Sequence, residues 1–327
     1  MVYKIVGNMN ERESLILQVL DVMERENFEI SEMCSSGFMC FDIFARRNVL
    51  LLLLKVLTNI DSLSEQHARE IVGIGNMLCA SPLMVGIKTR NSEMEDGVVY
   101  ERHSIPAVTI DTFEDIMHEG ALPVIFSGRG GYYVKIDGAL LREIRTKMGI
   151  SLGDVAENIG VSRRSVHTYE NEDKCMTLKT ALRLEEFLDE SLARPIDIFF
   201  IPKMCEFAGE LDGEFERNAL NTLRELGFEV YPIKKAPFNA LTKDEEYVMI
   251  TKLLRLRFSS GRIFENAKIL KSISDTVKTE AFFVMDANTA FKKNIHGIPA
   301  VKKEELEKID DSDELIDVLK SRKVKAV

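Results

Sequence analysis

The sequence predicts two α/β domains on either side of an all-helical domain. Residues 10–119 and 214–309 repeat the same order of helical and strand-like patterns, whereas residues 135–192 between them show only helical patterns. A chain of 327 residues is long enough for two or three domains of ordinary size.

We place the domain boundaries at changes in this pattern. The first α/β domain is predicted over residues 1–125, the helical domain over 132–195 and the second α/β domain over 198–327. The glycine-rich sequence FSGRGGYY, residues 126–133, leads into the helical domain, and we expect it to be a flexible hinge.

Both copies of the repeat begin alike. A helical pattern, at residues 10–27 and 214–227, runs into a short strand that starts Phe-Glu in each copy. In the first copy, strands are expected near residues 28–32, 38–45 and 49–57. Because the third of these is apolar throughout, it is predicted to be a central strand that is covered on both faces.

A shared spacing supports the repeat. Phe41 is followed by Lys55 after 14 residues, and Phe238 is followed by Lys252 after the same distance. Both lysines lie at the end of strand-like runs. This agreement indicates a gene duplication rather than two unrelated α/β domains.

The clearest match between the copies is a six-residue motif. It reads HSIPAV from His103 and HGIPAV from His296. We expect each histidine to open a strand, and the proline to mark that strand as an edge strand, because proline cannot donate a ladder hydrogen bond.

The central segment is predicted to form four or five short helices without a strand. Gly149 is a natural end for a helix over residues 140–147, and Ser151 is a natural N-cap for the next helix, over 152–159. Gly160 allows a tight turn, after which Ser162 caps a third helix over residues 163–170. Two short helices joined in this way form a helix-turn-helix.

This segment resembles the DNA-binding domains of the Cro and lambda-repressor type. The resemblance implies that helix 163–170 is the recognition helix, whose N-terminal residues enter the major groove of double-stranded DNA. It also implies that Arg145 pairs with Glu170 in a structural salt bridge. Leu152 stands where the family often has a glutamine that contacts a backbone phosphate.

The candidate DNA-binding residues are polar and belong to the caps or to the expected exposed face of the third helix. Arginine is the commonest reader of guanine, and a serine cap beside free backbone N–H groups suits a phosphate. The candidates are Ser151, Ser162, Arg163, Arg164, Ser165, His167 and Thr168.

The α/β copies resemble the restriction-endonuclease-like fold. In that family, an Asp and a second acid two residues before a lysine hold Mg²⁺. Asp42 and Lys55 match, but Leu53 replaces the second acid, and the second copy has Asn239, Ile250 and Lys252 at the corresponding positions. We therefore predict catalytically degenerate copies, no metal or other cofactor, and no enzyme activity.

Two alternatives remain open. An acid on the following helix, Glu65 or Glu70, could restore a metal site in the first copy and make the protein a structure-specific, metal-dependent nuclease. The helix-turn-helix could also serve as a protein-binding scaffold rather than as a DNA reader.

As a whole, the chain resembles the archaeal helix-turn-helix transcriptional regulators. The resemblance implies a cytoplasmic DNA-binding protein without a membrane segment, and it does not identify an effector.

The five cysteines contain no zinc-binding spacing and are expected to be reduced thiols. Residues 135–195 carry 10 basic and 11 acidic side chains. Because one such domain should bind DNA weakly, we expect a homodimer built through the α/β copies. The alternative is that the two copies pair with each other inside one chain and leave a monomer.

Overall fold

A computed structural model describes residues 10–34, 39–203, 211–245, 247–255, 260–286 and 293–323. The chain divides into two compact units. The first comprises Met1–Val22, Leu57–Ser62 and Met84–Ile198, and the second comprises Met23–Val56, Leu63–Leu83 and Phe199–Val327. Among the described residues, no helix is long and apolar enough to cross a membrane.

The central segment contains four closely spaced helices, and the other helices lie before and after it among the strands. In chain order they are α1 (Glu11–Arg25), α2 (Glu65–Leu78), α3 (Ile110–Glu119), α4 (Gly138–Lys147), α5 (Leu152–Ile159), α6 (Arg163–Asn171), α7 (Leu178–Leu188), α8 (Glu214–Glu225), α9 (Ser260–Val277), α10 (Lys303–Leu306) and α11 (Ser312–Arg322).

The strands flank the central helices. They are β1 (Glu29–Ile30), β2 (Ile43–Arg47), β3 (Leu50–Asn59), β4 (Ser81–Lys88), β5 (Val98–Arg102), β6 (Ile105–Val108), β7 (Ile125–Gly128), β8 (Gly131–Lys135), β9 (Cys175–Thr177), β10 (Glu229–Pro232), β11 (Ala240–Lys243), β12 (Val248–Leu254), β13 (Glu280–Met285), β14 (Asn294–Ile295) and β15 (Ile298–Lys302).

In the first unit, strands follow the order β4-β6-β5-β7-β8-β9. The β4–β6 and β5–β7 pairs are parallel, and the other pairs are antiparallel. Strands β8 and β9 carry Val134 and Met176 into one hydrophobic core with helices α4 to α7. The helical segment is therefore built onto a strand pair.

In the second unit, β1-β2-β3 is antiparallel, and a six-stranded sheet has the order β10-β11-β12-β13-β15-β14. The order β10-β11-β12 repeats β1-β2-β3, and β13-β15-β14 repeats β4-β6-β5 with the same orientations. Strand β3 is buried from Leu51 to Val56, which confirms the prediction of a strand that is covered on both faces.

The two halves of the repeat contact each other inside the second unit. The Cys40 amide donates a hydrogen bond to the Lys235 carbonyl at 2.6 Å. The Arg46 guanidinium donates to the carbonyl oxygens of Thr276 (2.7 Å) and Val277 (2.8 Å) at the end of α9. Arg46 of the first half thus caps the C-terminal end of α9 in the second half.

The histidines of the repeated motif lie in turns, not in strands as expected. His103 and Ser104 form the two-residue loop between paired Arg102 and Ile105, with φ values of 52° and 64°. His296 occupies the same position, with a φ of 49°. Positive φ at these positions is what a tight hairpin requires, and it overrides the strand pattern.

The prolines of this motif do not mark edge strands. Strand β6 lies between β4 and β5, and β15 lies between β13 and β14. Pro106 is the second residue of β6, and the parallel pairing with β4 starts after it, at Ala107. The strand therefore tolerates a missing N–H without being at an edge.

Two expectations for the central segment were wrong. The segment contains a strand, β9, which pairs with β8 through Cys175 and Met176. The expected hinge at residues 126–133 instead forms the β7–β8 hairpin, in which Gly128 pairs with Gly131. Both differences arise from pairing between residues far apart or across a turn, which helical periodicity does not report.

The cysteines of the described residues are free thiols: Cys34, Cys40, Cys79 and Cys175. Cys205 lies outside the described residues.

Candidate DNA-binding site

The entry to α5 is fixed by Ser151. Its Oγ accepts hydrogen bonds from the backbone N–H groups of Gly153 and Asp154, both at 3.2 Å. The Asp154 carboxylate in return accepts from the Ser151 N–H at 2.8 Å, which completes a capping box. Ser151 is exposed, so its hydroxyl lies at the surface beside the helix N-terminus.

A tight turn joins α5 to α6. Gly160 has a φ of 75°, a value that a glycine adopts without strain, and its N–H donates to the Ala156 carbonyl at 3.0 Å. Ser162 then caps α6 by accepting from the Ser165 N–H at 3.1 Å. The order of cap, helix, turn and cap places the start of α6 next to the end of α5.

Helix α6 has one buried face and one exposed face. Val166 is fully buried and Glu170 is 9% exposed, and both anchor the helix to the rest of the segment. Arg163, Arg164 and His167 are exposed. Ser165 and Thr168 are half-buried, at the border between the two faces.

Arg145 and Glu170 form a buried, two-point ion pair. Arg145 Nε donates to one Glu170 oxygen at 2.5 Å and Nη2 donates to the other at 3.2 Å. Arg145 Nη1 also donates to the Ile150 carbonyl at 3.0 Å. The hydrogen bonds with Glu170 raise the pKa of Arg145 above its usual value. The pair ties α4 to the end of α6 and leaves neither group available to a ligand.

Three arginines lie close to the ends of the two helices. A Cβ added to Gly153 would be 3.8 Å from Arg163 Cδ, so the Arg163 side chain lies over the start of α5. A Cβ added to Gly160 would be 3.3 Å from Arg183 Nη1, which places Arg183 beside the turn. Among the described residues, Arg163, Arg164 and Arg183 have no acidic partner within ion-pair distance.

Sequence reasoning missed Arg183. Its position on α7 is exposed, because Ala181, Leu184 and Leu188 carry the buried face of that helix. The spacing of these apolar residues predicts exposure, but only the packing of α7 against α5 brings Arg183 to the turn.

A second cluster occupies the place of the expected nuclease site. Asp42 Oδ2 accepts from the Val56 N–H at 2.8 Å, and Lys55 Nζ donates to the Met39 carbonyl at 2.7 Å. Lys55 Nζ also lies 3.4 Å from Asp42 Oδ1, and both side chains are buried. Leu53, where an acid would be needed, is 1% exposed and part of the core.

The same position in the second half is uncharged. Asn239 Oδ1 accepts from the Leu253 N–H at 3.0 Å, just as Asp42 does from Val56. Burial without a described carboxylate partner lowers the pKa of Lys252 to about 8. The Asp or Asn at this position therefore binds the backbone of the adjacent strand in both halves.

The two candidate replacement acids are engaged elsewhere. Glu65 pairs with Arg69 on the surface of α2. Glu70 is buried, and its two oxygens accept from the N–H groups of Lys234 (3.3 Å) and Lys235 (2.9 Å). Burial raises the pKa of Glu70 above its usual value. Within the described ranges, no group of three or more His, Cys, Asp and Glu side chains is placed to hold a metal ion.

Two family models match the chain. Residues 12–123 match a PD-(D/E)XK superfamily domain, and residues 141–194 match a helix-turn-helix domain. The first match covers the first α/β copy, and the second covers α4 to α7 with the strand β9 between α6 and α7. No solved structure matches the chain.

The chain is similar over nearly its whole length to archaeal proteins that carry the provisional name HTH-type transcriptional regulatory protein. The protein of Pyrococcus horikoshii is 37% identical over 97% of this chain and 100% of its own length. That of Methanocaldococcus jannaschii is 37% identical over 95% of this chain and 97% of its own length. That of Archaeoglobus fulgidus is 35% identical over 94% and 98%. With a helix-turn-helix domain at its centre and full-length similarity of this degree, the chain belongs to this family of HTH-type transcriptional regulatory proteins.

Proposed function

We propose that this protein is a sequence-specific transcriptional regulator that reads the major groove of double-stranded DNA with the exposed face of α6. The observation that carries the proposal is the division of that helix. Val166 and Glu170 hold one face in the core, whereas Arg163 and Arg164 at the start of the helix and His167 at its middle are exposed. A recognition helix needs this combination of a fixed position and unpaired donors.

The roles of the exposed residues follow from their chemistry. Arg163 and Arg164 are candidates for bidentate bonds to guanine O6 and N7. His167, Ser165 and Thr168 can donate to or accept from neighbouring base edges or phosphates.

The two cap serines are suited to phosphates. Ser151 and Ser162 stand at the first turns of α5 and α6, where backbone N–H groups and the helix dipole favour an anion. Arg183 lies beside the turn at Gly160 and adds a positive charge there.

We further propose that two chains act together on a two-fold site. The central segment carries 10 basic and 11 acidic residues, so counterion release contributes little to the affinity of one segment. Phe41 and Phe238 contact each other within one chain, so this pair of positions is not available to the expected dimer. The proposed dimer uses other faces of the α/β copies.

We propose that the two α/β halves arose by duplication and that they support the DNA-binding segment without catalysing a reaction. Their identical strand order and the matching bonds of Asp42 and Asn239 support a common origin. A metal-dependent nuclease is the second candidate function, because the first half matches the PD-(D/E)XK superfamily. The apolar Leu53 and the engaged Glu70 favour the non-catalytic proposal.

The experiment that tests this function uses the purified full-length chain and sheared genomic DNA from its source. Recovered fragments are sequenced for a shared site, and the affinity for that site is compared between wild type and Arg163→Ala. We expect the variant to lose about 1–3 kcal/mol of specific binding and to keep the thermal stability of the wild type.

Arg217→Ala is the matched control, since Arg217 is exposed on α8, in the other compact unit. It removes the same charge and should leave the affinity unchanged. Recovery of no shared site, or equal affinity of wild type and Arg163→Ala for it, would contradict the proposal. Because the proposed function requires contact with chromosomal DNA, we also propose that the protein is located in the cytoplasm.

A further inference from the structure

The β7–β8 hairpin, residues 125–135, presents an arginine at its tip. Gly128 pairs with Gly131, which leaves Arg129 and Gly130 as a two-residue loop. The Arg129 side chain is exposed, and among the described residues it has no acidic partner within ion-pair distance. The neighbours on both sides of it in the chain are glycines, which have no side chains.

The tip is held in one conformation. Tyr133 Oη donates a hydrogen bond to the Arg129 carbonyl at 2.7 Å. The Tyr133 ring stacks on Phe126, with centroids 5.9 Å apart, and covers Gly128 so closely that a Cβ there would lie 2.9 Å from the ring. Gly130 takes the positive φ, 88°, that the second loop position needs. These contacts hold the backbone from which the exposed Arg129 side chain extends.

The hairpin is also rigidly attached to the helix-turn-helix. Strand β8 pairs with β9, which begins four residues after α6 ends. Val134 and Ile136 belong to the same core as Val166 of α6. Lys135 Nζ lies 3.3 Å from the carboxylate of Asp173, in the short link between α6 and β9. The hairpin and the proposed recognition helix are therefore parts of one packed body.

We propose that Arg129 is a second DNA-reading residue, which enters the minor groove next to the major-groove site of α6. This proposal rests on the proposed function, because it needs α6 to place the protein on DNA. Neither family model covers the hairpin, since one ends at residue 123 and the other starts at residue 141.

The minor groove fits the shape and charge of the tip. It is only about 6 Å wide in B-DNA, so a β-ribbon with bulky side chains at its end would not enter it. Within residues 128–131, Arg129 carries the one side chain, because the other three residues are glycines. Narrow A·T-rich minor grooves have an enhanced negative potential that attracts inserted arginines.

The first test compares affinities for the genomic site recovered with the wild type. The variants are Arg129→Ala and Arg129→Lys, and Arg217→Ala again serves as the control for the loss of one exposed charge. We expect Arg129→Ala to bind about tenfold more weakly. The affinity of Arg129→Lys should lie between those of the wild type and Arg129→Ala, and the affinity of Arg217→Ala should equal that of the wild type. Because Arg129 is exposed, all three variants should melt at the wild-type temperature.

The second test changes the minor groove alone. A·T pairs beside the recovered core site are replaced by G·C pairs, which add the guanine amino group to the minor groove, or by inosine·C pairs, which lack that group. We expect G·C to weaken binding by the wild type and inosine·C to restore it, whereas Arg129→Ala should respond to neither change.

The outcomes separate this inference from the proposed function. If Arg163→Ala loses affinity but Arg129→Ala binds as tightly as the wild type, the hairpin inference is wrong and the function of α6 stands. Equal responses of wild type and Arg129→Ala to the G·C and inosine·C changes would also overturn it. If the wild type selects no DNA site, both proposals are wrong.

Discussion

Phe41 and Phe238 lie against each other at equivalent positions of the repeat. Their ring centroids are 6.2 Å apart, and both side chains are fully buried. Each phenylalanine precedes the lysine of its own half, Lys55 or Lys252, by 14 residues. Two positions that match in the sequence pattern therefore contact each other inside one chain.

Replacing Phe41 by Ala should destabilise the protein by about 3–5 kcal/mol, because it leaves a cavity in a closed core. Phe238→Ala should have a similar effect, and the double variant should cost less than the sum, since the two rings share one contact. Urea unfolding of the four proteins measures this coupling. Strictly additive effects would show that the two rings do not interact in solution.

The oligomeric state can be tested apart from this contact. We expect light scattering to give about twice 37.1 kDa for the wild type at micromolar concentration. Phe41→Ala should have the same mass, because the ring packs within its own chain. A monomeric mass for a protein that binds an asymmetric site would refute the dimer, and a mass change in Phe41→Ala would show that Phe41 pairs between chains.

Arg145→Ala should destabilise the central segment by about 3–5 kcal/mol. The substitution leaves the buried Glu170 carboxylate, 3% exposed, without its two-point partner. Arg163→Ala is the matched control, because it removes an exposed arginine from the same segment. Thermal unfolding checks the difference, and equal melting temperatures of the two variants would contradict it.

Arg145→Lys extends this comparison. Lysine keeps the charge but cannot donate two parallel hydrogen bonds to one carboxylate. We expect it to recover only part of the lost stability. Full recovery would show that charge alone, and not the paired geometry, holds α4 to α6.

The pH dependence of stability should report Lys252. Burial lowers the pKa of Lys252 from 10.5 to about 8 in the folded protein. Between pH 8 and 10.5 the unfolded chain binds more protons at this residue than the folded chain, so the free energy of unfolding gains a contribution that rises with pH.

Lys252→Met isolates this contribution. The variant should be more stable than the wild type at pH 7 by about 1–3 kcal/mol, and the difference should shrink as the pH approaches 10.5. Chemical unfolding at a series of pH values measures both curves. Parallel curves would show that Lys252 titrates at its ordinary value in the folded state.

We expect no cleavage of duplex, branched or single-stranded DNA with Mg²⁺ or Mn²⁺. Asp42 is one carboxylate, and it already binds the Val56 N–H and lies beside Lys55. A hard divalent ion needs several oxygen ligands. The assay runs wild type beside Asp42→Ala and Lys55→Ala, and cleavage that disappears in both variants would establish the nuclease instead.

Local signals in the sequence determined much of the helix-turn-helix. Ser151 and Ser162 cap their helices, and Gly160 turns between them, because capping and positive φ depend on a few neighbouring residues. The strand order of the second half matches the first, as the repeat predicted for the order of elements. The apolar third strand is likewise buried as its composition predicts.

Tertiary structure decided what depends on residues distant in the chain. Strand β9 forms because Cys175–Thr177 pairs with β8, which lies about 40 residues earlier in the chain. Three residues are too few to show the alternation that predicts a strand. Glu70 is withdrawn from any metal site by Lys235, 165 positions away. The glycine-rich residues 128–131 favoured a hinge from their sequence. In the structure, the hydrogen bond from Tyr133 and the pairing of β7 with β8 hold them in a hairpin. Sequence specifies helix caps and buried faces locally, whereas long-range pairing determines which polar groups remain free to act.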